Sequence, residues 1–174
     1  AGEVDIIPQL IKKNFNNKKF DSSNFKKIGD QYIEKIKSSS VNAKRTTDKL
    51  PINFLSIGFI KLILPNSKII HCHRNPKDNI ISIFKNHFPN QMIPFAYDLK
   101  EIVDYYNLYS NLMIYWNNVL PDFIFDIKYE NLILNTKDEI SKILKFCNLK
   151  WSDDCLNFHE NKRPVKTASD SQVR

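Results

Sequence analysis

Residues 46–88 read TTDKLPINFLSIGFIKLILPNSKIIHCHRNPKDNIISIFKNHF, and the rest of the chain is organised around them. Lys44 to Lys49 predicts a short strand. Asn53 to Leu64 predicts a helix with Phe54, Leu55, Ile57, Ile60 and Leu64 inward, stopped at Pro65-Asn66. Lys68 to His73 is mostly apolar, the pattern of a strand buried in a parallel sheet. Arg74 stands at its tip and Asn75-Pro76 opens the next helix. Asparagine is a good N-cap, and proline is best tolerated at the first helical position. Such a junction suits an anion. The helix start offers unpaired N–H groups and the positive end of a dipole, and the guanidinium adds a forked donor beside them. Along that helix Asp78, Ser82 and Lys85 share a polar stripe, while Ile80, Ile81, Phe84 and Phe88 point to the core. Arg74 and the Ser82 hydroxyl can therefore converge on one phosphate.

Upstream, Ile6, Ile7, Leu10 and Ile11 predict a helix with Pro8 near its start, and Phe25, Ile28, Tyr32 and Ile36 predict a second. Downstream, Ile102, Val103, Tyr106, Tyr109, Leu112, Met113, Trp116 and Leu120 keep helical spacing from Leu99 to Leu120, so these aromatics read as core rather than as a ligand box. Pro121-Asp122 turns the chain into a strand over Phe123 to Tyr129. Thr136 with Glu139 three residues on forms a capping box for a further helix. A short helix follows Ser152, and the polar segment RPVKTASDSQVR completes the sequence. Strands alternating with helices indicate an α/β fold, a parallel sheet covered on both faces, in one domain over residues 1–174.

The 174 residues are 42% apolar, enough for a core, and carry a formal charge of +7 with a pI near 9.2. That balance favours an anionic partner. The lysines are scattered among asparagine and isoleucine with acids between them, so a solvated lysine-rich surface accounts for most of the excess. No basic helix face or aromatic platform for nucleic acid is recognisable. Cys72, Cys147 and Cys155 are odd in number and widely spaced, which argues against a disulfide framework and for a reducing, cytoplasmic setting. No apolar run is long enough to span a bilayer, and no signal peptide is recognisable. His71 and His73 share one face of a strand, but no third ligand stands at suitable spacing. Packed histidines are the expectation, and no metal. Cys155 and His159 sit four residues apart with no motif around them that would make a nucleophile.

The run R-N-P-K-D-N-I-I-S, with an arginine followed eight positions later by a serine, and the TTDKLPxN segment before it together resemble the sulfotransferases. The likeness is to the tyrosylprotein-sulfotransferase-like branch and its bacterial relatives, which are often attached to tetratricopeptide repeats. The resemblance implies a three-layer α/β/α, P-loop-NTPase-like fold and transfer of a sulfuryl group from 3′-phosphoadenosine 5′-phosphosulfate (PAPS) to a hydroxyl acceptor, a small molecule or a peptide tyrosine, leaving PAP. It implies that Arg74 and Ser82 hold the 3′-phosphate, and that Tyr129 in IKYENL contacts the adenosine. In the segment AGEVDIIP it makes Glu3 the catalytic base, with Val4 where the tyrosylprotein enzymes have a second glutamate. Glu3 reads equally as an acid favoured by a helix dipole. Lys49 becomes the cation that meets negative charge on the leaving phosphate, against the plainer reading of an exposed lysine. Ser169, Ser171 and Gln172, in KTASDSQVR, resemble the segment that closes over the nucleotide; taken alone they read as a disordered end.

The family grips the 5′-phosphosulfate with a loop of Pro-x-Ser-Gly-Thr type after its first strand. None of Gly2, Gly29 and Gly58 stands in such a loop, so the expectation is an incomplete domain without that strand and loop, binding nucleotide weakly and turning over little. Two other readings stay open: a P-loop-type kinase-like domain, and a noncatalytic basic binding module.

Overall fold

Apolar periodicity places three helices in the N-terminal part of the chain and a parallel strand pair flanked by helices in the remainder. This computed structural model describes residues 5–15, 22–37, 45–88, 93–157 and 160. The fold is mixed α/β and helix-rich, in two compact units, Ala1–Ser67 and Lys68–Arg174.

In the N-terminal unit, α1 (Ile6–Phe15) packs on α2 (Phe25–Lys37), and α2 packs on α3 (Ile57–Ile63). Ile6, Ile7 and Leu10 of α1 are buried, as are Ile28, Tyr32 and Ile36 of α2, the faces that the 3.6-residue period predicts. Gly29 also lies in this seam, where the absent side chain lets α2 approach the Ile63 backbone closely. The expected strand before Lys49 does not form: residues 46–50 are irregular. This segment is held through a side chain instead, the Tyr32 hydroxyl donating to Asp48 Oδ2 over 2.8 Å. The helix expected over Asn53–Leu64 begins as a 3₁₀ segment, Pro51–Ser56, and turns α-helical only at Ile57. Three residues per turn shift the phase of the stripe. Ile57 and Ile60 are buried as expected, joined by Phe59 and Ile63, while Leu55, in the 3₁₀ segment, is half exposed.

In the C-terminal unit, β1 (Ile69–His73) pairs in parallel with β2 (Ile124–Lys128), Ile69 opposite Ile124 and His73 opposite Lys128. The connection carries α4 (Pro76–Lys85), a 3₁₀ turn over Pro94–Tyr97, and α5 (Leu99–Val119), whose N-cap Asp98 accepts from the Glu101 N–H over 3.0 Å. The Pro121-Asp122 turn needs a positive φ of 63° at Asp122, a residue type that tolerates it. After β2 come α6 (Tyr129–Leu134) and α7 (Thr136–Phe146). Alternate residues of a strand point to opposite faces. On one face α5 meets the pair through Tyr109 at His71 and Asn117 at Asp126. On the other, Phe146 of α7 lies 5.3 Å from the Phe125 ring, with Lys68 Nζ 4.7 Å above Phe146.

Three expectations for this unit need correction. β1 is not buried on both faces: Ile70 and Cys72 are exposed. In α4, Ile80 and Phe88 just beyond its end are half-buried, but Ile81 and Phe84 are exposed, because α5 and the 94–97 turn cover only one side of it. The Thr136–Glu139 capping box is not made. α6 runs almost directly into α7, so the Thr136 hydroxyl donates back to the Ile133 carbonyl over 3.2 Å, and the buried Glu139 accepts from Lys142.

Candidate functional site

Both strands of the parallel pair end at one place, with Arg74 following β1 and Tyr129 following β2. In open parallel sheets the crevice beyond the carboxyl ends of the strands is where ligands sit. Here that crevice is a cleft of about 320 Å³ lined by Cys72, His73, Arg74, Asn79, Tyr106, Tyr109 and Tyr129.

Arg74 is half-buried. Its Nη2 donates to the Asp78 carbonyl over 2.6 Å, while its Nε is buried with no partner among the described residues. A buried donor left unpaired costs about 1–3 kcal/mol. The helix start beside it is built as its residues predict. Asn75 Oδ1 accepts from the Lys77 N–H over 2.9 Å, and Pro76 occupies the first helical position. The Asn75 N–H donates to Glu130 Oε1 over 2.7 Å, tying the residue after Arg74 to the residue after Tyr129. That backbone bond, with one from Glu130's own backbone, holds the Glu130 carboxyl below the usual carboxylate range.

The aromatic side of the cleft comes from α5. Tyr106 and Tyr109 pack edge to face with centroids 5.4 Å apart. They are half-buried and line the cleft, which corrects the expectation that the α5 aromatics are all core. Their signal in the sequence is a pair of hydroxyl-bearing rings three residues apart within an otherwise apolar stripe. The Tyr109 hydroxyl meets His71 Nε2, and His71 Nδ1 meets Asp126 Oδ1. His71 and His73 stack at 5.5 Å, and among the described residues no three His, Cys, Asp or Glu side chains gather as a metal ion would need. Burial pushes the Tyr109 phenol up to about 12; partial desolvation of the Cys72 thiol, on a residue that is still exposed, and then the Glu130 charge push that thiol up. The lining thus offers one permanent cation, one imidazole, an amide, a thiol that stays protonated at neutral pH and three phenols. It suits an anionic ligand with an aromatic part.

Of the residues singled out in the sequence, Arg74 and Tyr129 share this cleft. Ser82 is half-buried on α4 but is not among the lining residues. In a regular helix its N–H reaches the Asp78 carbonyl, the same oxygen that Arg74 holds, so Arg74 lies along the stretch of α4 leading to Ser82. Asn86, one turn on, donates from Nδ2 to the Ser82 carbonyl over 2.6 Å. Lys49 is exposed in the N-terminal unit, next to the anchored Asp48. Glu3, Ser169, Ser171 and Gln172, with His159, lie outside the described residues. Among the described residues no helix is long and apolar enough to cross a membrane.

A family model described as "Sulfotransferase family" matches residues 7–153, a span that includes most of both units. An uncharacterized protein of Aquifex aeolicus (strain VF5) is 35% identical over 157 residues, which are 89% of this chain and 21% of that protein. A candidate protein-tyrosine sulfotransferase of Caenorhabditis briggsae is 28% identical over 118 residues, 68% of this chain and 42% of that protein. The chain therefore spans less than half the length of these relatives.

Proposed function

The chain belongs to the sulfotransferase family, and from that premise we propose that it takes part in sulfuryl transfer from PAPS to a hydroxyl acceptor, with the cleft beyond β1 and β2 receiving the adenosine 3′-phosphate end of the nucleotide. The observation that carries this reading is Arg74. It stands at the tip of a parallel strand, beside a capped helix start, and lines a cleft that has no acidic lining residue. The donor set fits the nucleotide: a guanidinium for the phosphate, and the Tyr129 ring for the purine. PAPS supplies the activated sulfuryl group. The rest falls to this chain's residues, as positioning and charge stabilisation.

In this reading Arg74 and Ser82 hold the 3′-phosphate and Tyr129 the adenosine. Ser169, Ser171 and Gln172 close over the nucleotide. Lys49 meets the charge that develops on the leaving phosphate, and Glu3 takes the acceptor's proton. Both units then form one domain of three-layer, P-loop-like α/β/α architecture. The family match across both of them, and helices against both faces of the strand pair, support this. A peptide tyrosine is the acceptor class suggested by the Caenorhabditis briggsae relative. Cysteines that are free among the described residues fit a cytoplasmic setting.

The test is transfer of radiolabelled sulfuryl from PAPS to a panel of phenols, alcohols and tyrosine peptides, with ATP-dependent phosphorylation of the same panel alongside. The reading predicts low PAPS-dependent labelling, in keeping with the weak turnover expected of an incomplete domain, that falls at least a further tenfold in Lys49→Ala. Phosphoryl transfer without sulfuryl transfer would overturn it in favour of a kinase-like domain.

A further inference from the structure

One polar lining residue of the cleft has no part in the nucleotide reading. Asn79, early in α4, is half-buried and lines the cleft with Arg74. Ser82, three residues on, is not among the lining residues. Of the α4 side chains it is therefore the Asn79 amide that the helix presents to the cleft.

The backbone of Asn79 is held from both sides of one peptide group. The Asp78 carbonyl and the Asn79 N–H belong to the same planar unit. Arg74 Nη2 donates to that carbonyl over 2.6 Å, and the Asn79 N–H donates to the Asn75 carbonyl over 3.0 Å. Asn75 is itself tied to Glu130, beyond β2, through its own N–H over 2.7 Å. The guanidinium thus sits against the backbone that carries Asn79. Side chains on a helix lean toward its N-terminus, so the amide leans back over the junction where Arg74 follows β1. A carboxamide is uncharged, and its nitrogen offers two donors. Beside a guanidinium it adds hydrogen bonds for an anion without the repulsion of a second cation.

We propose that Asn79 is a further phosphate-contacting residue of the cleft, its Nδ2 donating to the 3′-phosphate that Arg74 holds. This deepens the nucleotide reading of the cleft and rests on it. The phosphate oxygens are ionised acceptors, so the bond is charge-assisted. No lining residue is acidic, so no carboxylate in the lining competes for the amide N–H groups. The other lining side chains, His73, Cys72 and three tyrosines, come from β1, from α5 and from the start of α6. Arg74 and Asn79 then meet the phosphate together, one from the strand tip and one from the helix.

Titration of PAP and of adenosine 5′-phosphate into the full chain, followed by NMR chemical shifts, tests this, because the two ligands differ in the 3′-phosphate. Asn79→Ala should lower PAP affinity about tenfold, the worth of one hydrogen bond to a charged group, and leave adenosine 5′-phosphate affinity unaltered. Asn79→Asp tells a contact from a structural role. Asparagine and aspartate have similar shape and helix propensity, and an acid is favoured near the positive end of a helix, so thermal stability should be retained. The new carboxylate faces the phosphate with like charge, so PAP affinity should fall further than in Asn79→Ala. This second variant keeps the test decisive if Asn79→Ala folds poorly. Three results overturn the proposal: PAP affinity unchanged in either variant, a loss shared equally by both ligands, or Asn79→Asp binding PAP no more weakly than Asn79→Ala. Arg74→Ala separates the two levels. If it loses the preference for PAP while the Asn79 variants keep it, only the Asn79 contact fails; if it keeps the preference, the nucleotide reading itself fails.

Discussion

Gly29→Ala sets two effects of opposite sign against each other. In a helix interior alanine is favoured over glycine by about 1 kcal/mol, so propensity alone makes the substitution stabilising. Packing says otherwise. A Cβ at Gly29 would stand 2.0 Å from the Ile63 carbonyl oxygen and 3.1 Å from its carbon. An ordinary C···O approach is about 3.3 Å, so α2 and α3 must separate by about 1.3 Å. The obstacle is backbone, which cannot turn aside as a side-chain tip would. The separation loosens Ile28 and Tyr32 on one side and Ile60 and Ile63 on the other, all buried. Overpacking of this kind costs about 1–3 kcal/mol, and a backbone clash belongs at the upper end, so the net is a loss of about 1–2 kcal/mol. Urea unfolding followed by far-ultraviolet circular dichroism measures it. The midpoint falls while the slope is unchanged. A midpoint equal to or above that of the parent would show that helix propensity prevails and that the two helices do not approach so closely.

Two further predictions concern ionisable groups. The Tyr32 phenol is raised above its ordinary pKa by burial, then by its bond to Asp48 and the charge of that carboxylate. The fold thus favours the neutral form, and the associated stability is complete below about pH 10 and lost as pH rises above it. Tyr32→Phe should cost about 1–2 kcal/mol at pH 7, with wild-type stability falling more steeply than the variant's above pH 10 in urea titrations; parallel curves would contradict this. The Cys72 thiol, held protonated by burial and by the Glu130 charge, should alkylate slowly at neutral pH and faster in alkali. Saturating PAP should slow its labelling several-fold, as read by peptide mass spectrometry, and unaltered labelling would place the nucleotide elsewhere.

How far the sequence was legible depended on whether a feature was local. The buried face of α2, through Ile28, Tyr32 and Ile36, followed from its period because one regular helix carries it. The period places Ile57 and Ile60 of α3 inward as found, but it misses at Leu55, because the chain enters α3 through a 3₁₀ segment and nothing local distinguishes the two pitches over Asn53–Ser56. The Asn75-Pro76 helix start was readable, since cap and proline act on adjacent residues. The Asn75–Glu130 bond was not, because it joins residues that only the parallel register brings together. The same holds for His71 and Asp126. In sequence His71 pairs most naturally with His73, two residues away; its hydrogen-bond partners come from β2 and α5. Period places Tyr106 and Tyr109 in the core because it alone cannot separate a buried stripe from one that ends at a cleft wall.

The central claim is that Arg74, at the end of β1, recognises the 3′-phosphate of a nucleotide. Titration of PAP against adenosine 5′-phosphate, in the wild-type chain and in Arg74→Ala, tests it most directly, because the two ligands differ in the group at issue. One hydrogen-bonded charge is worth about 10–100-fold in affinity. The wild-type chain should prefer PAP by that factor, and Arg74→Ala should bring the preference close to unity with its thermal stability retained. A preference for PAP that survives in Arg74→Ala, or no preference in the wild-type chain, would contradict the account.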